Sequence, residues 1–435
     1  MIRSRASVGL IASALVLAAC QTAGRTVYEA PLRQGELLDP PAATEQKQTA
    51  ATTQSDFGLV DADTIAHDGR YFRITDLSPG ERPSPETLEA GLWQSMDRVE
   101  QQTRTSGNRV DDTELNAYLT EVTCRVAGEH CNDVRVYVMR VPAFNATMAP
   151  NGMMQVWTGL LLRTRNEAQL AGVLGHEVGH FLRRHSAQRM KNVIETTNFL
   201  AFFSAATGGW GSIAGLFAQG QLLAFNRDHE READGYGLLL MNRSGYDPRE
   251  AALTWSNLIR EHDANEDKDE RDPFLSTHPA PEERSKILGE LGAAVASKMT
   301  TSEKGRDRFL EIMLPRRAAW LRDELNQRSF ETSNELFDIL LEDDPNPAEI
   351  LFFKGELHRL RGEEGDEQMA IDFYVESLQA AGTPPAELHR SKGLVHNRRG
   401  AHTAAKESFE AYLEASPNAS DRLIVEDMIK RLATS

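Results

Sequence analysis

At 435 residues and 48.4 kDa the chain is too long for one ordinary hydrophobic core, so two or three domains are expected. Apolar residues at 40% and charged residues at 26% exclude a fibre or a disordered chain, and a formal charge of −17 argues against nucleic acid or anionic lipid as the main partner, since both reward a basic surface. Three cysteines exclude a disulfide-rich scaffold and a multi-cysteine zinc ribbon.

Residues 1–19 read as a lipoprotein signal peptide. Arg3 and Arg5 precede an apolar stretch from Val8 to Ala19 that is too short to span a bilayer. It ends Leu17-Ala18-Ala19-Cys20, which resembles a bacterial lipobox with Cys20 as the lipidation site. The alternative is an ordinary signal peptide with a chance Cys. Gln21 is not the Asp that retains such lipoproteins in the inner membrane, so the expected location is the outer membrane, facing the periplasm. Residues 20–55, rich in Ala, Thr, Gln and Pro, read as a flexible tether. In that oxidising compartment Cys124 and Cys131 are expected to close a short disulfide loop; two unpaired thiols are the alternative.

Residues 56–300 read as a catalytic domain. Leu115, Tyr118, Leu119, Val122 and Val126 recur at helical spacing from Asp111 to Ala127. Asp133 to Val141 alternates as a strand; Pro150-Asn151-Gly152 is a turn, and Met154 to Thr158 looks like a returning strand. A helix is expected from about Asn166 to Met190, with Leu170, Val173, Leu174, Val178, Phe181 and Leu182 on its apolar face. No charged residue lies between Glu195 and Arg227. Five glycines (208, 209, 211, 215 and 220) interrupt that stretch, which argues against a membrane span and for buried helices, with a flap or surface contact as alternatives. Gly209-Trp210-Gly211 with Ala214 mimics a dinucleotide fingerprint, but no strand precedes it and it is read as a chance match.

Residues 301–435 read as α-helical repeats of the TPR type. Gly393, Ala405, Phe409 and Pro417 have the spacing of a small residue, a large residue and a terminating Pro. Gly355, Ala370, Tyr374 and Pro384 form a second unit, and Phe337 and Pro345 a poorer one. A generic helical bundle is the alternative.

His176-Glu177-Val178-Gly179-His180 carries explicit chemistry. Residues four apart share a helix face, so both imidazoles can reach one metal ion. Glu177 can face the same cleft and take a proton from water that the metal has acidified. A third ligand is needed, and Glu230-Arg231-Glu232-Ala233-Asp234 follows about fifty residues on. His185 is a closer histidine, but it falls one residue early for the metzincin spacing, and Arg183 stands where that pattern requires Gly, so it reads as a helix-surface residue or as packing behind the ligands and not as a ligand. No G-x-S-x-G elbow, P-loop or zinc-finger cysteine pair competes.

H-E-V-G-H followed by E-x-x-A-D at Glu230, Ala233 and Asp234 resembles the gluzincin metallopeptidases of the CAAX-prenyl-protease/HtpX type, from about Leu92 to Leu288. Phe144-Asn145-Ala146, Pro150-Asn151-Gly152, Thr158-Gly159-Leu160 and Asn166-Glu167 belong to the same likeness, and Thr277-His278-Pro279 is shared with BepA-like periplasmic proteases carrying TPR repeats. The resemblance implies His176, His180 and Glu230 as ligands of one catalytic zinc ion, with Glu232 the alternative to Glu230, and Glu177 as general base. It implies that Asp234 orients a ligand imidazole, that His278 gates the metal or stabilises the oxyanion, and that Asn145 holds substrate backbone beside a hairpin from Asp133 to Thr158. Arg249 and Arg284 are further polar residues of that region, with no reason at this level to choose between them.

The expectation is therefore a mainly α fold with a small β-sheet, followed by helical repeats. The expected function is a zinc metalloendopeptidase acting on misfolded or misassembled envelope proteins in outer-membrane quality control, with the repeats facing an outer-membrane assembly machine. The rivals are a non-proteolytic TPR adaptor or chaperone with a structural or vestigial zinc site, and a zinc amidase acting on cell wall. Nucleic acid is not expected as a partner.

Overall fold

The computed structural model describes residues 76–189, 227–265, 274, 277–278 and 281–433. Cys20, the tether and the uncharged stretch before Arg227 lie outside the described residues. Among the described residues helices dominate, with one small sheet. No described helix is long and apolar enough to cross a membrane.

Helix α1 (Leu88–Arg104) leads to α2 (Thr113–Ala127), whose first turn is capped by Asp112 accepting from Leu115 N at 3.0 Å. A disulfide joins Cys124 near the end of α2 to Cys131 in the following 3-10 turn, with the Cα atoms 4.4 Å apart. Strand β1 (Arg135–Met139) follows, then β2 (Ala146–Met148) and β3 (Met153–Trp157).

The sheet order is β1-β3-β2. β1 pairs parallel with β3, from Arg135 opposite Met153 to Met139 opposite Trp157, so the expected hairpin between them is corrected. The hairpin is β2–β3, closed by Ala149 N donating to Met153 O at 2.8 Å. Three-residue β2 is too short to show an alternating pattern, and a two-strand reading had no place for it. Glu100 on α1 pins the helix to this sheet: it accepts from Arg135 Nε and Nη2 at 2.8 Å each, from Tyr137 Oη at 2.7 Å and from Asn151 Nδ2 at 3.1 Å. Burial alone would raise its pKa, but these donors outweigh burial and hold it down at about 2.

After α3 (Thr158–Arg163), helix α4 (Glu167–Leu182) starts at Asn166, which caps it by accepting from Gln169 N at 2.9 Å. It stops eight residues short of Met190. Arg184 takes a left-handed conformation, φ 55°, which interrupts the run, and residues 185–189 are helical again. The apolar periodicity that suggested a longer helix itself ends at Leu182. Helices α5 (Arg227–Arg243) and α6 (Glu250–Ala264) pack on α4, and α7 (Pro281–Ala296) packs on α5 and α6.

The chain continues as α8 (Arg306–Gln327), α9 (Phe330–Leu341), α10 (Pro347–Arg361), α11 (Asp366–Gln379), α12 (Glu387–Arg398), α13 (His402–Ala415) and α14 (Arg422–Leu432). α10 pairs with α11 and α12 with α13. A Cβ added at Gly355 would come within 2.5 Å of the Tyr374 ring, and one at Gly393 within 2.7 Å of Phe409, so each small residue makes room for an aromatic ring on the partner helix. One buried apolar cluster runs from Leu77 to Val395, through both the sheet and α8–α12. Buried Arg163 ties these parts together, donating from Nε to Glu261 at 2.7 Å and from Nη2 to Glu324 at 3.0 Å.

Candidate active site

α4 supplies His176, Glu177 and His180; α5 supplies Glu230 and Asp234. The helices approach closely because position 179 is glycine: a Cβ there would lie 3.0 Å from Tyr236 Cβ and 3.1 Å from the Ala233 carbonyl oxygen. All five side chains are buried. Nε2 of His176 and Nε2 of His180 lie 3.0 Å apart. Each is 3.5 Å from a carboxylate oxygen of Glu230. His278 completes a set in which His176, His180, Glu230 and His278 each offer one ligand atom within 4.8 Å of the others. Its Nε2 lies 3.3 Å from Glu177 Oε1, and its ring stacks on Phe274 at 4.1 Å.

Polar neighbours hold these groups. Asp234 Oδ1 is 3.0 Å from His176 Nδ1, the nitrogen turned away from the cluster. Arg284 donates to both Asp234 oxygens, at 2.8 and 2.6 Å, and brings Nη1 to 2.5 Å from Glu230 Oε2, while its guanidinium lies over Trp255 at 3.9 Å. Burial, with Asp234 nearby, pushes the Glu230 carboxyl up, against the pull of Arg284. Burial would raise Asp234 too, but Arg284 and His176 hold it far below the usual carboxylate range. Burial and the neighbouring imidazoles push His180 well down, favouring its neutral, ligating form. Burial pulls His278 the same way, but Glu230 and Glu177 outweigh it and its pKa is raised.

The residues fit a metal ion. Glu230 Oε1 is fully buried and accepts no hydrogen bond, and a cation would satisfy it. Two imidazoles and a carboxylate are the donor set of a catalytic zinc site with a remaining open position.

Of the sequence-derived candidates, His176, Glu177, His180, Glu230, Asp234 and His278 come together. Asn145 is buried just before β2, and its Oδ1 has no hydrogen-bond partner. Glu232 does not face the cluster: its oxygens take Arg183 at 2.8 Å and His185 at 3.0 Å. Arg249 is half exposed and paired with Asp247, so Arg284 is the arginine of the site. Nothing local marks Arg284 in the sequence; only its place a few residues beyond His278 offered a signal.

Residues 110–291 match the model of Peptidase family M48. The chain is 32% identical over 222 residues to the mitochondrial metalloendopeptidase OMA1 of Arabidopsis thaliana, covering 50% of this chain and 42% of the relative. It is 34% identical over 171 residues to the Schizosaccharomyces pombe protein of the same name, covering 39% and 49%. It is 27% identical over 215 residues to the β-barrel assembly-enhancing protease of Escherichia coli K12, covering 46% and 43%. The chain thus spans less than half the length of each. The matched region contains the whole cluster, which supports a metalloprotease hydrolase.

Proposed function

We propose that this chain is a zinc-dependent metalloendopeptidase that hydrolyses misfolded or misassembled cell-envelope proteins. The convergence of His176, His180 and Glu230, with Glu177 beside them, carries this reading. His176 and His180 through Nε2, and Glu230 through a carboxylate oxygen, would hold the ion. Zinc bound there supplies Lewis-acid polarisation of a carbonyl and acidifies water. Glu177 takes the proton from the attacking water and passes it to the leaving amine. Asp234 fixes the tautomer of His176 through Nδ1, and Arg284 keeps Asp234 ionised and in place. His278, within reach of Glu177, gates the site or stabilises the developing oxyanion. An extended substrate adds to an edge of the sheet, with the unpartnered Asn145 Oδ1 taking a backbone N–H.

The wider role is part of the proposal. Cys20 is the lipid anchor and the chain works at the outer membrane, on its periplasmic side; the name of the Escherichia coli relative supports envelope proteins as substrates. The paired helices α10–α13, with their glycine-to-aromatic contacts, support TPR-like repeats that present a surface to assembly machinery.

The test is cleavage of unfolded casein by the zinc-loaded protein beside Glu177→Gln. The variant is expected to lose at least about a hundredfold in rate while keeping zinc and fold. Equal rates would reject Glu177 as the base, and zinc-loaded wild type without cleavage would favour the adaptor. His278→Ala is expected to change the rate without loss of zinc.

A further inference from the structure

We infer that His185 is a positioning residue for His180: it fixes the tautomer of that ligand and, backed by Glu232, strengthens it as a donor to the metal. The inference rests on the metal site proposed above. His180 turns Nε2 toward His176 and Glu230, at 3.0 and 3.5 Å. Its Nδ1 is 2.8 Å from Nδ1 of His185. An imidazole that gives the Nε2 lone pair to a cation carries its proton on Nδ1. His180 therefore donates from Nδ1 and His185 accepts on Nδ1. The His185 proton then sits on Nε2, and that nitrogen is 3.0 Å from Glu232 Oε2. Every link fixes the next, so the charge of Glu232 is felt at the ligating nitrogen through two imidazoles.

The backbone makes this contact. In a continuous helix, residues five apart lie about 140° around the axis from each other and do not meet. Helix α4 stops at Leu182, and Arg184 at φ 55° swings the chain so that His185 returns to His180. A left-handed conformation is unfavourable for a non-glycine residue, so something must hold it. The Arg184 side chain is anchored to Glu89 of α1, Nε to Oε1 at 3.0 Å. His185 is fully buried, and its ring is stacked on His229 at 4.3 Å with 15° between planes. Glu232 is held in turn by Arg183, which also reaches Asp76. A histidine that merely filled space would need neither the aligned nitrogens nor the anchored carboxylate.

The measurement is the zinc dissociation constant of the full chain, by competition with a chromophoric chelator, beside thermal unfolding of the zinc-free protein. His185→Leu is expected to weaken zinc binding about 10- to 100-fold. His185→Asn is expected to recover most of that, because Asn Oδ1 can stand in for Nδ1 as acceptor. Glu232→Gln, which keeps the shape but removes the charge, is expected to fall between. Zinc binding by His185→Leu as tight as by the wild type overturns the inference and leaves the metal site standing. A wild type that binds no zinc fails the metal site itself and takes the inference with it. If His185→Leu does not fold, Glu232→Gln decides: an unchanged dissociation constant overturns the inference, and a weakened one supports it.

Discussion

Two helix pairs in this chain place a glycine at their contact and use it for different ends. Between α12 and α13, the space beside Gly393 is filled by the ring of Phe409, and the cluster that continues through Ala405, Tyr412 and Val425 is mostly apolar. Between α4 and α5, the space beside Gly179 brings helix backbones together, and what it delivers is Glu230 within 3.5 Å of two imidazoles. The first contact stabilises by removing apolar surface from water. The second buries carboxylates, imidazoles and a guanidinium that would each be costly alone. Close packing is thus the shared device; which residues it encloses separates a structural joint from a chemical one.

Phe409→Ala should lose about 4 kcal/mol of stability through the cavity it leaves, and should not change zinc affinity. Chemical denaturation and chelator competition on one sample check both halves, and a shift in zinc binding would break the separation. Arg284→Ala should cost about 3 kcal/mol in the zinc-free protein, because it strands Asp234 and Glu230 as buried anions. The loss should shrink when zinc is added, since a cation restores the balance of charge. Equal losses with and without zinc would mean that Arg284 acts by packing on Trp255 alone.

Glu100→Gln offers a control outside both pairs. The native carboxyl is held at about 2, below its unfolded value, so its contribution is fully present above the ordinary carboxylate range. That contribution falls away as pH drops toward 2. The variant should be less stable by about 1–2 kcal/mol at neutral pH, and the gap should narrow by pH ~3. A gap that widens in acid would reverse the sign. Arg249→Ala should cost about 1 kcal/mol and leave zinc binding alone, because Arg249 is half exposed but its partner Asp247 is buried and loses those donors.

Much of the site was legible in sequence because helical spacing is a local rule. His176, Glu177 and His180 lie within one turn of α4, and Glu230 and Asp234 within one turn of α5. The glycine-to-aromatic contacts of α10–α13 are readable for another reason: the same spacing between a small residue and a large one recurs in two successive helix pairs. What escaped depends on contacts between distant segments. Arg284 reaches Asp234 from 50 positions away, and no periodicity announces that pairing. The parallel register of β1 with β3 depends on the three-residue β2 taking the far edge. The sequence allows His185 a place behind the ligands but does not say which ligand it meets, because the left-handed Arg184 that returns it to His180 has no sequence signature; an arginine there is atypical.

The buried Arg163 bears on how this protein can be divided. Its guanidinium is satisfied from α6 on one side and from α8 on the other, through Glu261 and Glu324. A chain cut just before α8 would keep every residue of the candidate metal cluster and still remove one of the two carboxylates that meet this buried guanidinium. Arg163 therefore couples α8 to the part of the chain that carries the cluster. Recombination that exchanged α8 for another helix would have to supply an acid at position 324, or replace Arg163 in the same event.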